Sequence, residues 1–360
     1  MRVVADGSPL RDGRREAGIG RYIIELRETL ATIPWLTMRF AIPPIHAPES
    51  WVRRYLYAQP WISVEALRRR AHIVHAMASD PVLGWPLRRQ VVTLHDAAPW
   101  TTHRPAEGTA TFRYLEFQRR RIKRCAAVIA VSEIAAQEAE TILAVPTQQI
   151  HVVPEGVGRQ FQTAVGTDDV IKRGAAGVPD RPFLLWVGSL RANDPRKALD
   201  DLIDAVAALG ADAPPIVLTG RTGDEGKRIT RYASERGVAV VITGYVDDAT
   251  LAALYRGANA VVIPSRHEGF GLTLLEAFAC GAPVVASHGG NLGALAGDDA
   301  LLVAPGDLRG LSDAIRSVLQ DETLRARLQT AGPKRAAQFT WQRTAEQTAA
   351  VYRHAYERSS

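Results

Sequence analysis

The stretch that decides the fold is "NAVVIPSRHEGFGLTLLEAFACGAPVVAS", residues 259–287. The apolar runs "AVVI" and "PVVAS" have the length and composition of buried strands, and "LTLLEAFAC" between them has the pattern of a short helix that stops at Gly281. Two strands joined by a helix form a βαβ unit with parallel strands. Glu268 then falls in the glycine-rich turn before the helix, and Glu276 falls inside the helix.

The same alternation of strand and helix patterns continues in both directions from this stretch. Runs of valine, isoleucine and leucine bounded by Gly, Pro or Ser recur from "RVVAD" at 2–6 to "ALLVAP" at 300–305. Such runs are typical of parallel sheets covered by helices on both faces. The sequence therefore predicts an α/β chain of two doubly wound, Rossmann-like domains that face each other across a cleft.

Composition suggests where the domains divide. The stretch between the two halves is polar, rich in Gly and Pro, and weakly periodic, as a linker is. We expect a first domain over residues 1–163, a linker over 164–182 and a second domain over 183–340. A last amphipathic pattern over 341–358, which Thr340 can cap, predicts a helix that returns to the first domain.

The totals are those of a globular protein. The 360 residues are 46% hydrophobic and 23% charged, which is far from the composition of a disordered chain. No apolar run approaches the roughly 18 residues of a membrane span, and the start lacks the apolar core of a signal peptide. We therefore expect a cytoplasmic protein, in which Cys125 and Cys280 are small buried side chains.

The net charge is +6, and most of the positive excess lies in the first half. Basic residues cluster at 68–70, at 88–89 and over 119–124. These clusters are solvated helix faces or, alternatively, a surface for anionic lipid, which would make the protein peripheral on the inner face of the membrane. No aromatic stacking platform or recognition motif accompanies the charge, so we expect no nucleic-acid partner.

A dinucleotide oxidoreductase is disfavoured. The only glycine-rich stretch in the first half that resembles a nucleotide fingerprint is "AGIGRY" at 17–22, and a charged loop separates it from the preceding strand. The G-x-G-x-x-G pattern fails there, and no acidic residue ends a second strand at the expected interval.

The segment around Gly271 has the chemistry to bind a sugar nucleotide. Unpaired backbone N–H groups at a helix start suit phosphate, and the glycines allow close approach. Two carboxylates would repel bare phosphate but accept hydrogen bonds from hydroxyls, so Glu268 and Glu276 would hold ribose and hexose. The alternative is that both glutamates are structural, one capping and one solvated.

The segment "EGFGLTLLE" at 268–276 resembles the E-x7-E motif of retaining glycosyltransferases of family GT4, which have the GT-B fold. "VGSLRANDPRKALDDLIDAV" at 187–206 is similar to that family's glycine loop and "P-R-K" segment. The resemblance extends over nearly the whole chain and is strongest in the second half. It implies a retaining hexosyltransferase of the EC 2.4.1 type.

The resemblance also assigns roles to individual residues. Arg196 and Lys197 would pair with the diphosphate, unless they are a surface pair after a turn. Gly188 would open the loop toward phosphate. Glu276 would bind the ribose hydroxyls, and Glu268 would bind the transferred sugar near the reacting carbon. Further donor contacts are implied for Tyr245, Val246 and the backbone of Gly269, Phe270, Gly271, Leu272 and Thr273.

In the first domain the resemblance points to the end of the strand "VVTLH". His95 would contact the donor sugar and complete a catalytic set with Lys197 and Glu268, although it can also be a structural histidine. Asp96 and Tyr22 are weaker candidates for contact with the acceptor. Gly18 and Gly20 match the family's first glycine loop, although turn formation alone also explains two glycines.

Three departures from the family pattern affect these expectations. Ser189 follows Gly188 where some relatives carry an arginine, so Arg191 or Arg196 must supply the second positive charge. Glu155 stands where an asparagine is common. The chain has no D-x-D sequence, which is the usual acidic cradle for a nucleotide-bound metal, so we expect no metal and no other cofactor.

The implied reaction is hexose transfer from a nucleotide sugar, best matched by mannose from GDP-mannose, to a glycan or lipid-linked acceptor. Such a step belongs to cell-surface polysaccharide or glycoconjugate synthesis. No residue is an obvious carboxylate nucleophile for a double displacement, so the resemblance implies a same-face route. The alternatives are another GT-B sugar-nucleotide enzyme, either an epimerase or a phosphorylase, or a catalytically silent sugar-nucleotide-binding subunit.

Overall fold

The computed structural model describes residues 1–11, 14–15, 18–43, 58–210 and 213–359. The strands in this part of the chain are β1 Arg2–Asp6, β2 Thr37–Ala41, β3 Ile73–Ala76, β4 Gln90–Leu94, β5 Ala127–Ala130, β6 Ile150–Val152, β7 Leu184–Val187, β8 Ile216–Thr219, β9 Val240–Gly244, β10 Ala260–Ile263, β11 Val284–Ser287 and β12 Leu301–Val303. The helices are α1 Gly18–Leu30, α2 Gln59–Arg68, α3 Ala110–Ile122, α4 Glu133–Thr141, α5 Asp169–Ala175, α6 Leu199–Ala207, α7 Asp224–Glu235, α8 Asp248–Gly257, α9 Leu272–Ala279, α10 Leu292–Ala296, α11 Leu308–Gln320, α12 Glu322–Ala336 and α13 Trp341–Glu357.

The first six strands form a parallel sheet in the order β2-β1-β3-β4-β5-β6. Strands β3, β4 and β5 are buried along their whole length, as their continuous apolar runs predict. The strand order reverses at β1 and β3, and ligands of doubly wound sheets bind outside the carboxyl ends of the strands at such a point. His95 directly follows β4, the neighbour of β3 in this sheet.

The last six strands form a second parallel sheet in the order β12-β11-β10-β7-β8-β9. Leu184 and Trp186 of β7, Leu218 of β8 and Val262 of β10 belong to one buried core with side chains of α6 and α11. The order reverses between β7 and β10, which places the expected ligand crevice at the carboxyl ends of these two strands. The doubly wound architecture expected from the sequence is therefore confirmed for both halves.

The structure divides the chain into two compact units at positions that differ from the sequence expectation. The first unit combines Met1–Gly156 with the residues that follow Phe339, and the second unit is Val157–Phe339. The first unit thus ends at Gly156 instead of residue 163. The reason is that residues just after Gly156 bond within the second unit, where the Gln160 side chain donates to Asp248 at 2.9 Å.

The segment 164–182, expected to be a linker, belongs to the second unit. It contains α5, in which Asp169 is buried and pairs with Arg256 of α8 at 2.7 Å. The hydrogen bond from Arg256 lowers the pKa of Asp169. Helix α5 has only seven residues, one of them Gly174, and therefore has little periodicity of its own. The sequence pattern could not reveal the long-range ion pair that holds this helix in the second unit.

The terminal helix α13 lies in the first unit. Its N-cap is Thr340, whose hydroxyl accepts a hydrogen bond from the N–H of Arg343 at 3.2 Å, so the predicted cap is confirmed. The helix packs beside α1 and against β3, β4 and β5. Within the described ranges, no helix has both the length and the apolar character needed to cross a membrane.

Candidate active site

The turn between β10 and α9 carries Glu268 and ends at Gly271. Gly271 has a φ of +112°, a left-handed conformation that glycine adopts readily. Gly271 is the N-cap residue of α9, and because it has no side chain it cannot accept a hydrogen bond from the first N–H groups of the helix. The first backbone N–H groups, including those of Leu272 and Thr273, therefore have no partner within the helix. This end of α9 presents donors and a positive dipole to an anion.

Glu268 is joined to Lys197, which lies in the turn before α6. Lys197 Nζ is 2.8 Å from Oε1 of Glu268, and the hydroxyl of Ser265 donates to the same oxygen at 2.7 Å. The two charged side chains are 29% and 17% exposed, so water screens their attraction only in part. Both of these donors therefore bond to Oε1 of Glu268.

Glu276, the second glutamate of the motif, is buried inside α9. Its Oε2 accepts a hydrogen bond at 2.9 Å from the hydroxyl of Tyr255, which is fully buried in α8. A carboxylate in a dry environment needs such donors to remain in place. The two glutamates thus have different surroundings, one in a partly exposed ion pair and one in a buried hydrogen bond.

Arg196 already contacts a carboxylate in this structure. Its Nε and Nη2 donate to the two oxygens of Asp194 at 3.1 and 2.9 Å, and Asp194 also caps the short turn Pro195–Lys197. A diphosphate at Arg196 would therefore share the guanidinium with Asp194. Lys197, by contrast, is bonded to another candidate donor-binding residue.

The remaining donor-site candidates of the second unit lie at strand ends. Gly188 follows β7 and packs so closely on Gly220 that a Cβ on Gly220 would lie 1.9 Å from the Gly188 carbonyl oxygen. Tyr245 and Val246 follow β9, and the Tyr245 side chain is 55% exposed. Gly269 and Phe270 are buried in the Glu268 turn. The structure thus gathers the turn residues at α9, with Gly188 at the neighbouring strand end.

Sequence reasoning missed the loop that supports the Glu268 turn. The backbone N–H of Asn291 donates to the Glu268 carbonyl at 2.9 Å, and its side-chain amide donates to the Phe270 carbonyl at 2.9 Å. A Cβ on Gly290 would lie 2.3 Å from the same Glu268 carbonyl oxygen. The glycine pair in "SHGGN" after β11 was the available signal for this close approach.

In the first unit, His95 is held at both ring nitrogens. Nδ1 lies 3.1 Å from Oε1 of Glu155, and Nε2 lies 3.0 Å from the carbonyl oxygen of Met77. Burial by itself lowers the pKa of His95, but the hydrogen bond and charge of Glu155 outweigh burial and raise it. His95 is therefore fixed in orientation by two neighbours, one of them the residue that replaces the family's common asparagine.

Tyr22 does not fit the role of an acceptor contact. It is fully buried in α1, and its hydroxyl is 2.9 Å from the hydroxyl of Thr93. Thr93 in turn bonds to His75, whose other ring nitrogen is 2.7 Å from the Tyr352 hydroxyl. The resemblance made Tyr22 a weaker candidate for contact with the acceptor. Its position in α1 instead points its side chain into this buried hydrogen-bond network.

The other first-unit candidates serve local structure. Gly18 and Gly20 lie in the first turn of α1 instead of a free loop. A Cβ on Gly20 would lie 2.0 Å from the Arg15 carbonyl oxygen, so close backbone packing requires this glycine. Asp96 accepts a hydrogen bond from the N–H of Ala98 at 3.0 Å and so holds the turn after β4.

The chain has two doubly wound units, and the second unit carries a helix start bounded by glycine beside paired charges. This combination defines the GT-B class of glycosyltransferases. Solved structures agree in fold. Sucrose-phosphate synthase from Thermosynechococcus elongatus matches with a TM-score of 0.78 and 24% identity over 98% of each chain. WaaG, a glycosyltransferase involved in lipopolysaccharide biosynthesis, matches with a TM-score of 0.78 and 18% identity, over 98% of this chain and 99% of its own.

The family follows from sequence comparison. Residues 17–161 match the family model Glycosyltransferase Family 4, and residues 181–321 match Glycosyl transferases group 1. The MMP alpha-(1->4)-mannosyltransferase of Mycolicibacterium hassiacum is 31% identical over 77% of this chain and 67% of its own length. The mannosyltransferase WbdA of Escherichia coli is 29% identical over 71% of this chain, but the match spans only 32% of WbdA. The chain belongs to glycosyltransferase family 4, as the E-x7-E motif predicted.

Proposed function

We propose that this protein is a retaining hexosyltransferase that moves mannose from GDP-mannose to a glycan or lipid-linked acceptor in cell-surface polysaccharide or glycoconjugate synthesis. The observation that carries the proposal is the contact of Lys197 with Glu268 beside the open start of α9. A cation, a carboxylate and unpaired N–H groups together match the diphosphate and hydroxyls of a nucleotide sugar. The mannosyltransferase relatives favour mannose as the sugar.

In this proposal each group has one task. The start of α9 and the cations at Arg196 and Lys197 hold the diphosphate as negative charge develops on it. Glu268 orients the hexose through its second carboxylate oxygen, and Glu276 binds the ribose. The departing phosphate oxygen takes the proton of the acceptor hydroxyl, while that hydroxyl attacks the same face of an oxocarbenium-like sugar. Positioning and electrostatics then supply the rate.

Two further parts of the proposal concern partners. We propose that transfer needs no metal, because Lys197 and the α9 donors carry the charge that a divalent ion would otherwise neutralise. We also propose that the basic surface of α3 faces anionic lipid, which would bring the enzyme to a lipid-linked acceptor.

The proposal is tested by donor binding and transfer in the same samples. GDP-mannose should raise the melting temperature of the wild-type protein by mass action, and more than UDP-glucose does. Glu268→Gln keeps the shape of the side chain but removes its charge, so we expect transfer to fall about 100-fold or more. Glu235→Gln, an exposed change on α7, is the matched control and should transfer normally. Transfer should persist in excess EDTA.

Each alternative has its own outcome. Normal transfer in both Glu268→Gln and Lys197→Met would remove the proposed site. Donor turnover that depends on inorganic phosphate, or isomerisation without an acceptor, would identify a phosphorylase or an epimerase. Donor binding without turnover of any acceptor would identify a silent binding subunit, and loss of transfer in EDTA would refute the metal-independent route.

A further inference from the structure

The hydrogen-bond partners of His95 determine its protonation. Nε2 faces the carbonyl oxygen of Met77 at 3.0 Å, and a carbonyl only accepts, so Nε2 carries a proton. Nδ1 faces Oε1 of Glu155 at 3.1 Å, and an ionised carboxylate accepts but does not donate. An imidazole with a proton on each nitrogen is a cation. We propose that Glu155 holds His95 as an imidazolium, which serves the transfer reaction as a fixed positive charge and not as a proton acceptor.

The surroundings of His95 favour this charge state. Glu155 is 3% exposed, so its carboxylate is poorly hydrated and gains from a cationic neighbour. Asp96 lies beside His95 in the chain and adds a second negative charge. His75 is the nearby basic group, and burial lowers its pKa to about 3, so it stays neutral. Tyr22 also lies beside His95, with its ring edge-on and the ring centroids 4.9 Å apart.

Glu155 is itself held in place by the start of α13. The hydroxyl of Thr344 donates to the carbonyl of Pro154 at 2.7 Å. On the other side, Gly156 packs so closely that a Cβ would lie 2.2 Å from the backbone nitrogen of Trp341. The carboxylate is therefore positioned from both sides of its own backbone. Glu155 is a positioning residue that acts through His95.

The inference rests on the proposed function and sharpens it. An imidazolium has no lone pair, so His95 cannot take the proton of the acceptor hydroxyl, and that proton must go elsewhere, as the same-face route requires. A fixed cation at this strand end instead attracts the anionic donor, whose diphosphate is negatively charged. Transfer should then be lost as pH rises through the pKa of His95, which the charge and hydrogen bond of Glu155 raise above the ordinary value near 6.5.

The experiment is two-bond 15N–1H NMR of the full-length protein labelled at histidine, across a pH series. A His95→Gln sample assigns the His95 signal. In the wild type both ring nitrogens should show protonated shifts at pH 7.5. In Glu155→Gln the burial that remains should lower the pKa, so one nitrogen should be unprotonated at pH 7.5. Glu133→Gln, an exposed change at the start of α4, should leave the signal unchanged.

The kinetic arm uses the same variants. The basic limb of the pH profile of kcat/KM should move to lower pH in Glu155→Gln, and Glu155→Asp, which keeps the charge, should restore it in part. An unprotonated His95 nitrogen in the wild type at pH 7.5 would overturn the inference. So would identical His95 titration in wild type and Glu155→Gln. Because NMR reads the free protein, an absence of transfer would refute the proposed function without removing the imidazolium.

Discussion

The two glutamates of the motif differ in the hydrogen-bond donors that contact their carboxylate oxygens. One carboxylate oxygen of Glu268 accepts hydrogen bonds from Lys197 and Ser265, in a partly exposed turn. Glu276 receives the hydroxyl of Tyr255 in a buried environment. A hydrogen bond to a charged group typically contributes about 1.5–3 kcal/mol, and a buried carboxylate that loses its donor also has an uncompensated desolvation cost. The hydroxyl of Tyr255 therefore helps to orient Glu276.

The substitution Tyr255→Phe tests this contact, because it removes only the hydroxyl group that donates to Glu276. We expect the KM for the donor to rise roughly 10-fold, in line with the loss of such a bond. If Glu276 binds the ribose as proposed, kcat should change little, because that binding is equal in the ground and transition states. Steady-state kinetics with varied donor measures both. Tyr232→Phe is the matched control, since that hydroxyl donates to Asp204 at 3.0 Å outside this turn. An unchanged KM in Tyr255→Phe would contradict a positioning role.

The sequence predicted best those elements whose formation follows from the pattern of their own residues. Strands β10 and β11 and helix α9 lie where the apolar runs and Gly281 indicated, because each run is buried within its own sheet or layer. What the sequence did not reveal depends on contacts between distant segments. Lys197 meets Glu268 across 71 positions, Asn291 supports the Glu268 turn, and α5 is held by a salt bridge to Arg256. Periodicity contains no information on such pairs.

Helix α3 and the two residues after it carry the densest basic cluster, and its members differ in exposure. Arg121 is buried and donates to the carbonyl of Val82 at 2.7 Å, and Arg119 pairs with Glu116. The exposed residues are Arg120, Lys123 and Arg124. The part of this cluster that is available to anionic lipid is therefore smaller than the sequence suggested, and its attraction should amount to about 1 kcal/mol for each basic side chain near the membrane.

Vesicle sedimentation tests this surface of α3. Wild-type protein should bind vesicles containing phosphatidylserine at low salt and dissociate as salt rises, because the Debye length shrinks. Arg120→Glu with Lys123→Glu should weaken binding strongly. Arg231→Glu with Arg309→Glu changes the net charge equally at exposed sites of the second unit and should bind nearly as the wild type does. Equal loss in both double variants, or salt-insensitive binding, would contradict a specific lipid-facing surface.

Across the whole molecule, the first unit is completed by the last part of the chain. The backbone leaves the first unit after Gly156 and re-enters it at Thr340. Helix α13 then buries Trp341 and Tyr352 and bonds to His75 through the Tyr352 hydroxyl. The same helix holds the backbone on both sides of Glu155. The first unit therefore depends on residues that are synthesised only after the second unit.

Ending the chain after Thr340 should consequently destabilise the first unit and spare the second. Each large apolar side chain of α13 that leaves the core removes roughly 1.5–3 kcal/mol, which for several side chains approaches the whole stability of a domain. Hydrogen exchange followed by mass spectrometry should show faster exchange in peptides from residues 58–156 and little change in peptides from 183–339. Ending the chain after Glu357 is the control, because it keeps α13 intact, and it should preserve protection in both units. Equal loss of protection in both units on removal of α13 would mean that the helix stabilises the chain as a single cooperative body, and the dependence inferred for the first unit would be wrong.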